Sequence, residues 1–320
     1  RFPNNHQSVI RKGLKGLVKD KKVDIIIGGP PCQAYSIAGR AQDKNGMKND
    51  YRNFLFESFS EIVSEFKPDV FVFENVPGIL SAKPGGVKVT DRIYQQFKKI
   101  GYKIYKSDEL KKAALISSDF GVAQKRKRII IIGVKKDSTI NLKEIYTAIN
   151  KEKCATKTVR DVLSSLPKFY PKNTPTKKIS HAGKSNLLSH RPRFHNTRDI
   201  QIFRDWIKND MNSKPLDYKI NFYNKIFNKK SKHAKYRNLE WDKPSPTVVA
   251  HLNKDGLMFI HPDEKQARSI TVREAAILQS FPLDYEFLGG QGYCYKMIGN
   301  AVPVLMAKAI AEGIKNVLNE

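Results

Sequence analysis

A cysteine near the start of the chain has the sequence setting of a nucleophile. Cys32 follows a short run of mostly β-branched residues, 23–27, and the chain-breaking tetrapeptide Gly-Gly-Pro-Pro at 28–31. This pattern predicts a buried strand that ends abruptly, with the thiol on a stiff turn at its carboxyl end. Because ligands of open α/β sheets bind at that edge, the position suits covalent catalysis. An inert, buried thiol would satisfy the same segment taken alone.

Two further strand-like runs bring charged groups toward the same edge. The run 69–73 ends on Glu74, and the run 129–134 is preceded by Arg126 and Arg128. Glu74 shares the edge with the cysteine if the first two strands run parallel, and the arginines reach it only if the third runs antiparallel. Positive charge there would favour a thiolate, and a carboxyl group could supply a proton. An ordinary salt bridge and a solvated basic turn are the alternative interpretations.

The elements that must position these residues follow an alternating pattern. Strand-like and helix-like segments alternate from 21 to 134, which predicts an α/β fold with a mostly parallel sheet and helices on its faces. The composition then shifts toward lysine, asparagine and serine. We therefore expect a first domain over 1–150, a smaller and irregular one over 151–290, and a return of 291–320 to the first domain.

Local signals place several elements more closely. Apolar residues at helical spacing predict helices near 55–66 and 89–100, and a short strand is expected near 102–107. The spacing of Thr271 and Glu274 matches a capping box and predicts the start of a third helix.

The charge of the chain points to a polyanionic partner. Lysine and arginine number 58 against 31 acidic residues, a formal net charge of +27. Such an excess is typical of nucleic-acid-binding proteins, although a generally basic surface would give the same count. The chain shows no secretory signal, and no stretch approaches the roughly 20 apolar residues of a membrane span. We therefore expect a cytoplasmic protein without membrane contact.

Cysteine and histidine usage argues against a metal site. The chain has three cysteines and no Cys-x-x-Cys pair, so neither a disulfide framework nor a structural zinc site is predicted. His181, His190 and His195 lie in a polar, basic segment. We expect solvated or phosphate-contacting side chains there, not metal ligands.

Six short motifs, in order and at plausible separations, resemble those of the DNA (cytosine-5) methyltransferase family. They are Pro-Cys-Gln at 31–33, Arg-Asn-Phe-Leu-Phe at 52–56, Glu-Asn-Val at 74–76, Gln-Lys-Arg-Lys-Arg at 124–128, the segment 268–281 and Gly-Asn-Ala-Val-Pro at 299–303. The resemblance spans nearly the whole chain and argues against an inert Cys32. It implies a Rossmann-like class I methyltransferase sheet with one antiparallel strand, and a target-recognition domain over 151–290 that segment 268–281 supports.

The resemblance implies a covalent mechanism on a cytosine of duplex DNA. Cys32 would add to carbon 6 and make carbon 5 nucleophilic toward the methyl group of S-adenosylmethionine. Glu74 would donate a proton or hydrogen bond at ring nitrogen 3, and Arg128 would bind the base carbonyl. Arg126 would orient Glu74 or hold a backbone phosphate. The target base must leave the helical stack, and the basic stretch 38–50 would then form a lid.

The same resemblance implies two sets of binding residues. The residues expected to bind the cofactor are Pro30, Leu55, Asn75, Asn300, Ala301 and Val302. Those expected to bind DNA are Gln33, Ser36, Arg40, Arg52 and Gln124. A companion restriction endonuclease is a further partner that the family allows.

The chain also departs from the family pattern. The Phe-x-Gly-x-Gly cofactor loop and the acidic residue that follows it are not found before Cys32, Ser8 stands about where an aspartate is common, and Ala123 replaces a common proline. We expect the loop upstream of Arg1 or on a second chain. Two alternatives stay open: a transfer-RNA methyltransferase of the same fold, and a non-catalytic DNA-binding subunit whose partner chain binds the cofactor.

Overall fold

The computed structural model describes residues 13–19, 21–30, 55–174, 176 and 178–319. Several residues with predicted roles lie outside these ranges, namely Ser8, Cys32, Gln33, Ser36, Arg40 and Arg52, together with the predicted lid 38–50.

Short strands and helices alternate along the described chain. The strands are β1 (Ile25–Gly28), β2 (Val70–Asn75), β3 (Tyr102–Lys103), β4 (Ala114–Ile116), β5 (Gln124–Lys125), β6 (Lys127–Lys135), β7 (Tyr170–Pro171), β8 (His181–Ala182) and β9 (Ser245–Pro246). The α-helices are α1 (Leu55–Phe66), α2 (Val89–Lys99), α3 (Leu142–Lys151), α4 (Val159–Leu163), α5 (Thr197–Lys208), α6 (Leu216–Phe227), α7 (Val272–Leu278), α8 (Gln291–Asn300) and α9 (Val304–Leu318). Residues 13–18 are also helical.

One sheet organises the first part of the chain. Its strand order is β1-β2-β6-β3, and β4 also pairs with β6. Strands β1 and β2 are parallel, whereas β6 is antiparallel to both β2 and β3. Strands β1, β2 and β3 therefore run in one direction, and β6 runs in the opposite direction. The predicted mostly parallel sheet with one antiparallel strand is confirmed, and β3 is shorter than the expected 102–107.

Strand β1 differs from its prediction as a buried strand. It begins at Ile25, and its side chains alternate between half-buried and exposed, with Ile27 77% exposed. The cause is its position: among the described strands, β1 is at the end of the order and pairs only with β2. An edge strand covered on one face leaves every second side chain uncovered. The prediction of full burial is wrong here.

Aromatic packing holds α1 and α2 against the sheet. Phe71 on β2 stacks on Phe97 of α2 with ring centroids 4.3 Å apart. Phe59 of α1 meets Phe71 and Phe73 edge to face. The facing position on β6 is Gly133, where a Cβ would overlap the ring of Phe71. A glycine is therefore required for this ring to lie flat on the neighbouring strand.

The chain forms two compact units, each with its own core. Unit 1 comprises 1–115, 127–151 and 312–320, and unit 2 comprises 116–126 and 152–311. The sheet described above forms unit 1. The core of unit 2 contains buried residues from several helices and loops, among them Val248, Ile270, Leu278, Tyr295 and Ile298. The assignment of catalytic and recognition domains to 1–150, 151–290 and 291–320 stays a prediction.

Helices α8 and α9 correct the expectation that no segment could span a membrane. Together they form Gln291–Leu318, which is long enough and apolar enough to do so and is the only such segment in the part of the chain that the structure describes. Of the window concerned, 44% is buried inside the protein, and residues 301–303 interrupt the helix. Tyr295 and Ile298 belong to the unit 2 core. Burial of this kind is what a core helix shows, so the segment is weak evidence for a span.

Replacing Gly133 should destabilise unit 1. In Gly133→Ala the added methyl group displaces the Phe71 ring, and overpacking of this kind costs about 1–3 kcal/mol. Urea unfolding followed by circular dichroism should show a lower midpoint. Gly292→Ala is the control, because a Cβ there meets no described atom within 4 Å. An unchanged midpoint in Gly133→Ala would contradict the packing role.

Candidate active site

The end of β2 brings a carboxylate and a guanidinium together. In the antiparallel register Glu74 opposes Ile130 and Asn75 opposes Ile129, so Arg128 follows directly beyond the last pair. Nε of Arg128 lies 2.7 Å from Oε1 of Glu74, with the two side chains 11% and 20% exposed. This contact is an ion pair without the alignment of a hydrogen bond. The predicted antiparallel direction of this strand is therefore confirmed.

The second oxygen of Glu74 faces the end of β1. A Cβ on Gly29 would lie 3.0 Å from Oε2 of Glu74, and one on Gly28 would lie 2.5 Å from the ring of Phe59. Side chains larger than hydrogen at these two positions would push the carboxylate and the ring away. The Glu74 carboxylate is thus held between a cation and the backbone that leads toward Cys32, which itself lies outside the described residues.

Three predicted cofactor residues lie in unit 1 at the ends of elements. Pro30 follows β1 and Leu55 begins α1, and both are half-buried. Asn75 ends β2, is buried, and accepts a hydrogen bond from the backbone N–H of Val76 at 2.9 Å. The other three, which follow or end α8 in unit 2, are more open: Asn300 is exposed, and Ala301 and Val302 are half-buried.

Arg126 and Gln124 lie in the interior of unit 2. Nη1 of Arg126 donates to the carbonyl of Val248 at 2.9 Å, and Oε1 of Gln124 accepts from the Val248 N–H at 2.8 Å. Strand β5 also pairs with β9. The two side chains therefore brace the segment that follows Pro246. The sequence alone gives no sign of this contact, since the partners are more than 120 positions apart.

Gln124 retains one unsatisfied group. Its side chain is buried, and Nε2 has no hydrogen-bond partner among the described residues. An unpaired buried donor is costly, so a ligand or a segment outside the described ranges would be a favourable partner.

The family follows from comparison with known proteins. The model of the C-5 cytosine-specific DNA methylase family matches residues 1–316. The chain belongs to this family. The predicted family and enzyme class, a DNA (cytosine-5) methyltransferase, are confirmed.

Two relatives of the methylase are named Type II methyltransferases. It is 38% identical over 323 residues to Type II methyltransferase M.Bpa9945I of Bacillus paralicheniformis, an alignment that covers 93% of this chain and 71% of that protein. It is 35% identical over 301 residues to Type II methyltransferase M1.HphI of Haemophilus parahaemolyticus, covering 93% and 69%.

Solved structures agree on the fold of the methylase. An Escherichia coli prophage protein assigned as a DNA modification methyltransferase has a TM-score of 0.66 at 24% identity, covering 96% of this chain and 83% of that one. The S. pombe Dnmt2 methyltransferase has a TM-score of 0.51 at 13% identity, covering 93% and 79%. At such identities the likeness shows the fold alone.

The segment 268–281 of the methylase contains a buried ion pair. Arg268 binds Glu274 through two hydrogen bonds of 2.7 and 2.6 Å, and Glu274 also caps α7 with Thr271 as predicted. Burial alone would raise the pKa of Glu274, but the Arg268 charge and hydrogen bonds outweigh it and hold that pKa far below its usual range. Two charge-assisted hydrogen bonds offset part of the cost of burying both charges.

The histidines of unit 2 contradict the expectation of solvated side chains. His181, His190 and His195 are buried, as is His261. His190 hydrogen-bonds to Thr271 Oγ1 at 2.9 Å, His181 to the Gln266 carbonyl at 2.9 Å and His195 to Ser269 Oγ at 3.1 Å. Nδ1 of His261 accepts from the Asp263 N–H at 3.2 Å. Their neighbours in sequence are polar, but the chain folds these rings inward, where hydroxyl, carbonyl and backbone N–H groups are partners for ring nitrogens. No group of three metal-ligating side chains occurs among the described residues.

Burial determines the protonation of these histidines. It lowers the pKa of His181 to about 4 and those of His195 and His261 to about 3. The neutral rings are therefore favoured in the folded methylase, whereas the unfolded chain binds protons near pH 6.5.

Acid should therefore destabilise the methylase. The stability contributed by neutral histidines is complete above about pH 6.5 and is lost as the pH falls toward the folded pKa values, by up to about 1.4 kcal/mol per pH unit for each ring. Urea unfolding at a series of pH values from about 7.5 to about 5 measures this slope. His195→Gln should make it shallower, and His233→Gln, at an exposed position, should leave it unchanged. Equal slopes in all three proteins would refute the assignment.

Proposed function

We propose that the chain transfers a methyl group from S-adenosylmethionine to carbon 5 of a cytosine rotated out of duplex DNA, through a transient bond between Cys32 and carbon 6. The observation that carries the proposal is the Glu74 carboxylate, held between the Arg128 guanidinium and the Gly29 backbone. Gly29 is three positions before Cys32. The carboxylate therefore lies beside the chain that leads directly into the proposed nucleophile.

The chemistry explains the need for these groups. Addition of the Cys32 thiolate forms a carbon–sulfur bond and moves an electron pair into the ring, which makes carbon 5 nucleophilic. Glu74 must be protonated for this step, and it then donates a proton or hydrogen bond at ring nitrogen 3, while Arg128 hydrogen-bonds the base carbonyl as negative charge develops. After transfer, a base removes the carbon 5 proton, the electron pair of that bond reforms the double bond between carbons 5 and 6, and the thiolate leaves. Arg126 donates to the Val248 carbonyl, so its proposed role is to position the backbone that follows Pro246.

The described residues fit a cofactor at the carboxyl edge of the sheet. S-adenosylmethionine supplies an electrophilic methyl group when bound. Pro30 and Leu55 offer half-buried apolar surface there. Oδ1 of Asn75 accepts from the Val76 N–H, so its Nδ2 is the group that would donate to a ligand. Open α/β sheets bind nucleotides at this edge. For unit 2, the cofactor contacts are proposed from the motif alone, at Asn300, Ala301 and Val302.

Duplex DNA is the proposed substrate. The formal charge of +27 suits a polyanion, and the relatives above are named Type II methyltransferases. We place the protein with DNA in the cytoplasm, beside a companion restriction endonuclease. The proposed DNA contacts are Gln33, Ser36, Arg40, Arg52 and Gln124.

Removing the thiol should separate chemistry from binding. Cys32→Ser should abolish methyl transfer to duplex DNA and leave DNA affinity nearly unchanged, because phosphate contacts dominate affinity. The assay measures labelled methyl incorporation into unmethylated genomic DNA and, in parallel, into transfer RNA, with filter binding for affinity. Cys154→Ser is the control, since Cys154 is exposed and free. Full activity in Cys32→Ser, or labelling of RNA only, would defeat the proposal.

Glu74 should contribute through its proton. Glu74→Gln keeps the shape of the side chain but removes the acid, and the methyl-transfer rate should fall by about 10²- to 10⁴-fold with little loss of DNA binding. Glu61→Gln, on the exposed side of α1, should be unaffected. Single-turnover rates decide the matter, and a rate within about twofold of the parent in Glu74→Gln would exclude the acid role.

A further inference from the structure

Unit 2 presents a basic segment, residues 229–237, whose charged side chains pair with no acidic group in the described part of the chain. The segment contains four lysines, one arginine and no acidic residue, and all five cationic side chains are exposed. Among the described residues, none of these side chains forms an ion pair or a hydrogen bond. By contrast, Arg160 and Arg198 of the same unit pair with Asp242 and Asp199. The basic segment therefore has free donors for an external acceptor.

The backbone of the basic segment is held in a defined turn. Nδ2 of Asn224 donates to the carbonyl of Ser231 at 3.1 Å, and Oδ1 of Asn224 accepts from the Ser231 N–H at 2.7 Å. Oγ of Ser231 donates to the His233 carbonyl at 2.9 Å. The lysines on either side of Ser231 thus project from an ordered turn.

Arg237, at the end of the segment, has a more rigid base. Its backbone N–H donates to Leu257 and its carbonyl accepts from Ile260, both at 3.0 Å. The preceding residue, Tyr236, is buried against Trp206 with ring centroids 5.5 Å apart. The backbone of Arg237, and with it the direction of its Cα–Cβ bond, is therefore set by two backbone hydrogen bonds and a buried aromatic anchor, the kind of support that recognition residues require.

The Arg237 side chain lines a cavity of about 230 Å³. Leu216 and Met258, which are 59% and 40% exposed, form apolar parts of its wall. Glu240 also lines the cavity, but its carboxylate pairs with Lys243. The guanidinium of Arg237 is exposed and unpaired among the described residues, so it is accessible to the edge of a base in a DNA groove.

We propose that Arg237 reads one guanine of the DNA recognition sequence and that the lysines of the basic segment bind the neighbouring phosphates. The inference rests on the proposed function, because it takes duplex DNA as the substrate. A guanidinium presents two parallel N–H donors that match O6 and N7 of guanine in the major groove, and no other base offers that acceptor pair. An ammonium group lacks the fork and binds phosphate as a point charge.

A binding selection tests Arg237 without requiring catalysis. Duplexes that the protein retains from a randomised library are sequenced for the parent chain and for Arg237→Lys, which keeps the charge and loses the fork. Preference at one guanine position should fall by about 10- to 100-fold, while other positions keep theirs. Arg160→Lys is the matched control, because that guanidinium is already paired with Asp242. When the duplexes are also methylated by each protein, the sequences around the methylated cytosines should show the same loss of preference at that guanine position.

The lysines require a different readout. Replacing Lys229, Lys230 and Lys232 together by glutamine should weaken binding to all sequences alike. The slope of log affinity against log salt should become shallower by about 0.9 for each phosphate that the variant no longer neutralises. The preferred sequence should not change.

The possible results distinguish a failure of this inference from a failure of the proposed function. An unchanged preference in Arg237→Lys, a uniform loss at every position, or a parent chain without sequence preference overturns the role of Arg237. Methylation that fails while the preference at guanine still depends on Arg237 overturns the proposed function alone. Thermal midpoints are measured for all variants, including Arg237→Gln. Midpoints equal to that of the parent chain exclude a folding defect as the cause.

Discussion

The antiparallel pairing of β2 with β6 is the constraint on which the proposed active site depends. It opposes Glu74 to Ile130 and thereby sets Arg128 beside the carboxylate. A slip of one residue would exchange the two faces of β6 and remove the guanidinium from this position. The register is well specified because residues 129–134 are all buried, so a slipped strand would lose its fit to the core on both sides.

Close packing transmits the order of the core to the candidate site. Phe59 packs on Phe71 and Phe73 and at the same time fills the space beside Gly28. The next residue, Gly29, gives room for the Glu74 carboxylate. These two glycines let the backbone approach the Phe59 ring on one side and the Glu74 carboxylate on the other. A shift of the ring or of the carboxylate would therefore displace the end of the strand.

Unit 2 achieves rigidity by a different route. Much of its interior is polar, with a doubly bonded Arg268–Glu274 pair and several neutral histidines that serine, threonine and carbonyl groups satisfy. Such a network is costly unless each member is paired, and when paired it specifies one arrangement of the loops. An irregular chain with few strands thus gains the fixed backbone from which the basic segment and Arg237 project.

The sequence by itself determined the motifs and the strand ends that carry Glu74 and Arg128, because these depend on local patterns, and the family resemblance of the motifs implied the antiparallel strand. The sequence did not show that Arg126 and Gln124 brace Val248, that the histidines lie inside, or that Ile27 lies at an open edge. Only the tertiary structure decided these points. Contacts between residues more than 120 positions apart leave no periodic signal, and burial depends on which distant segments arrive to cover a side chain.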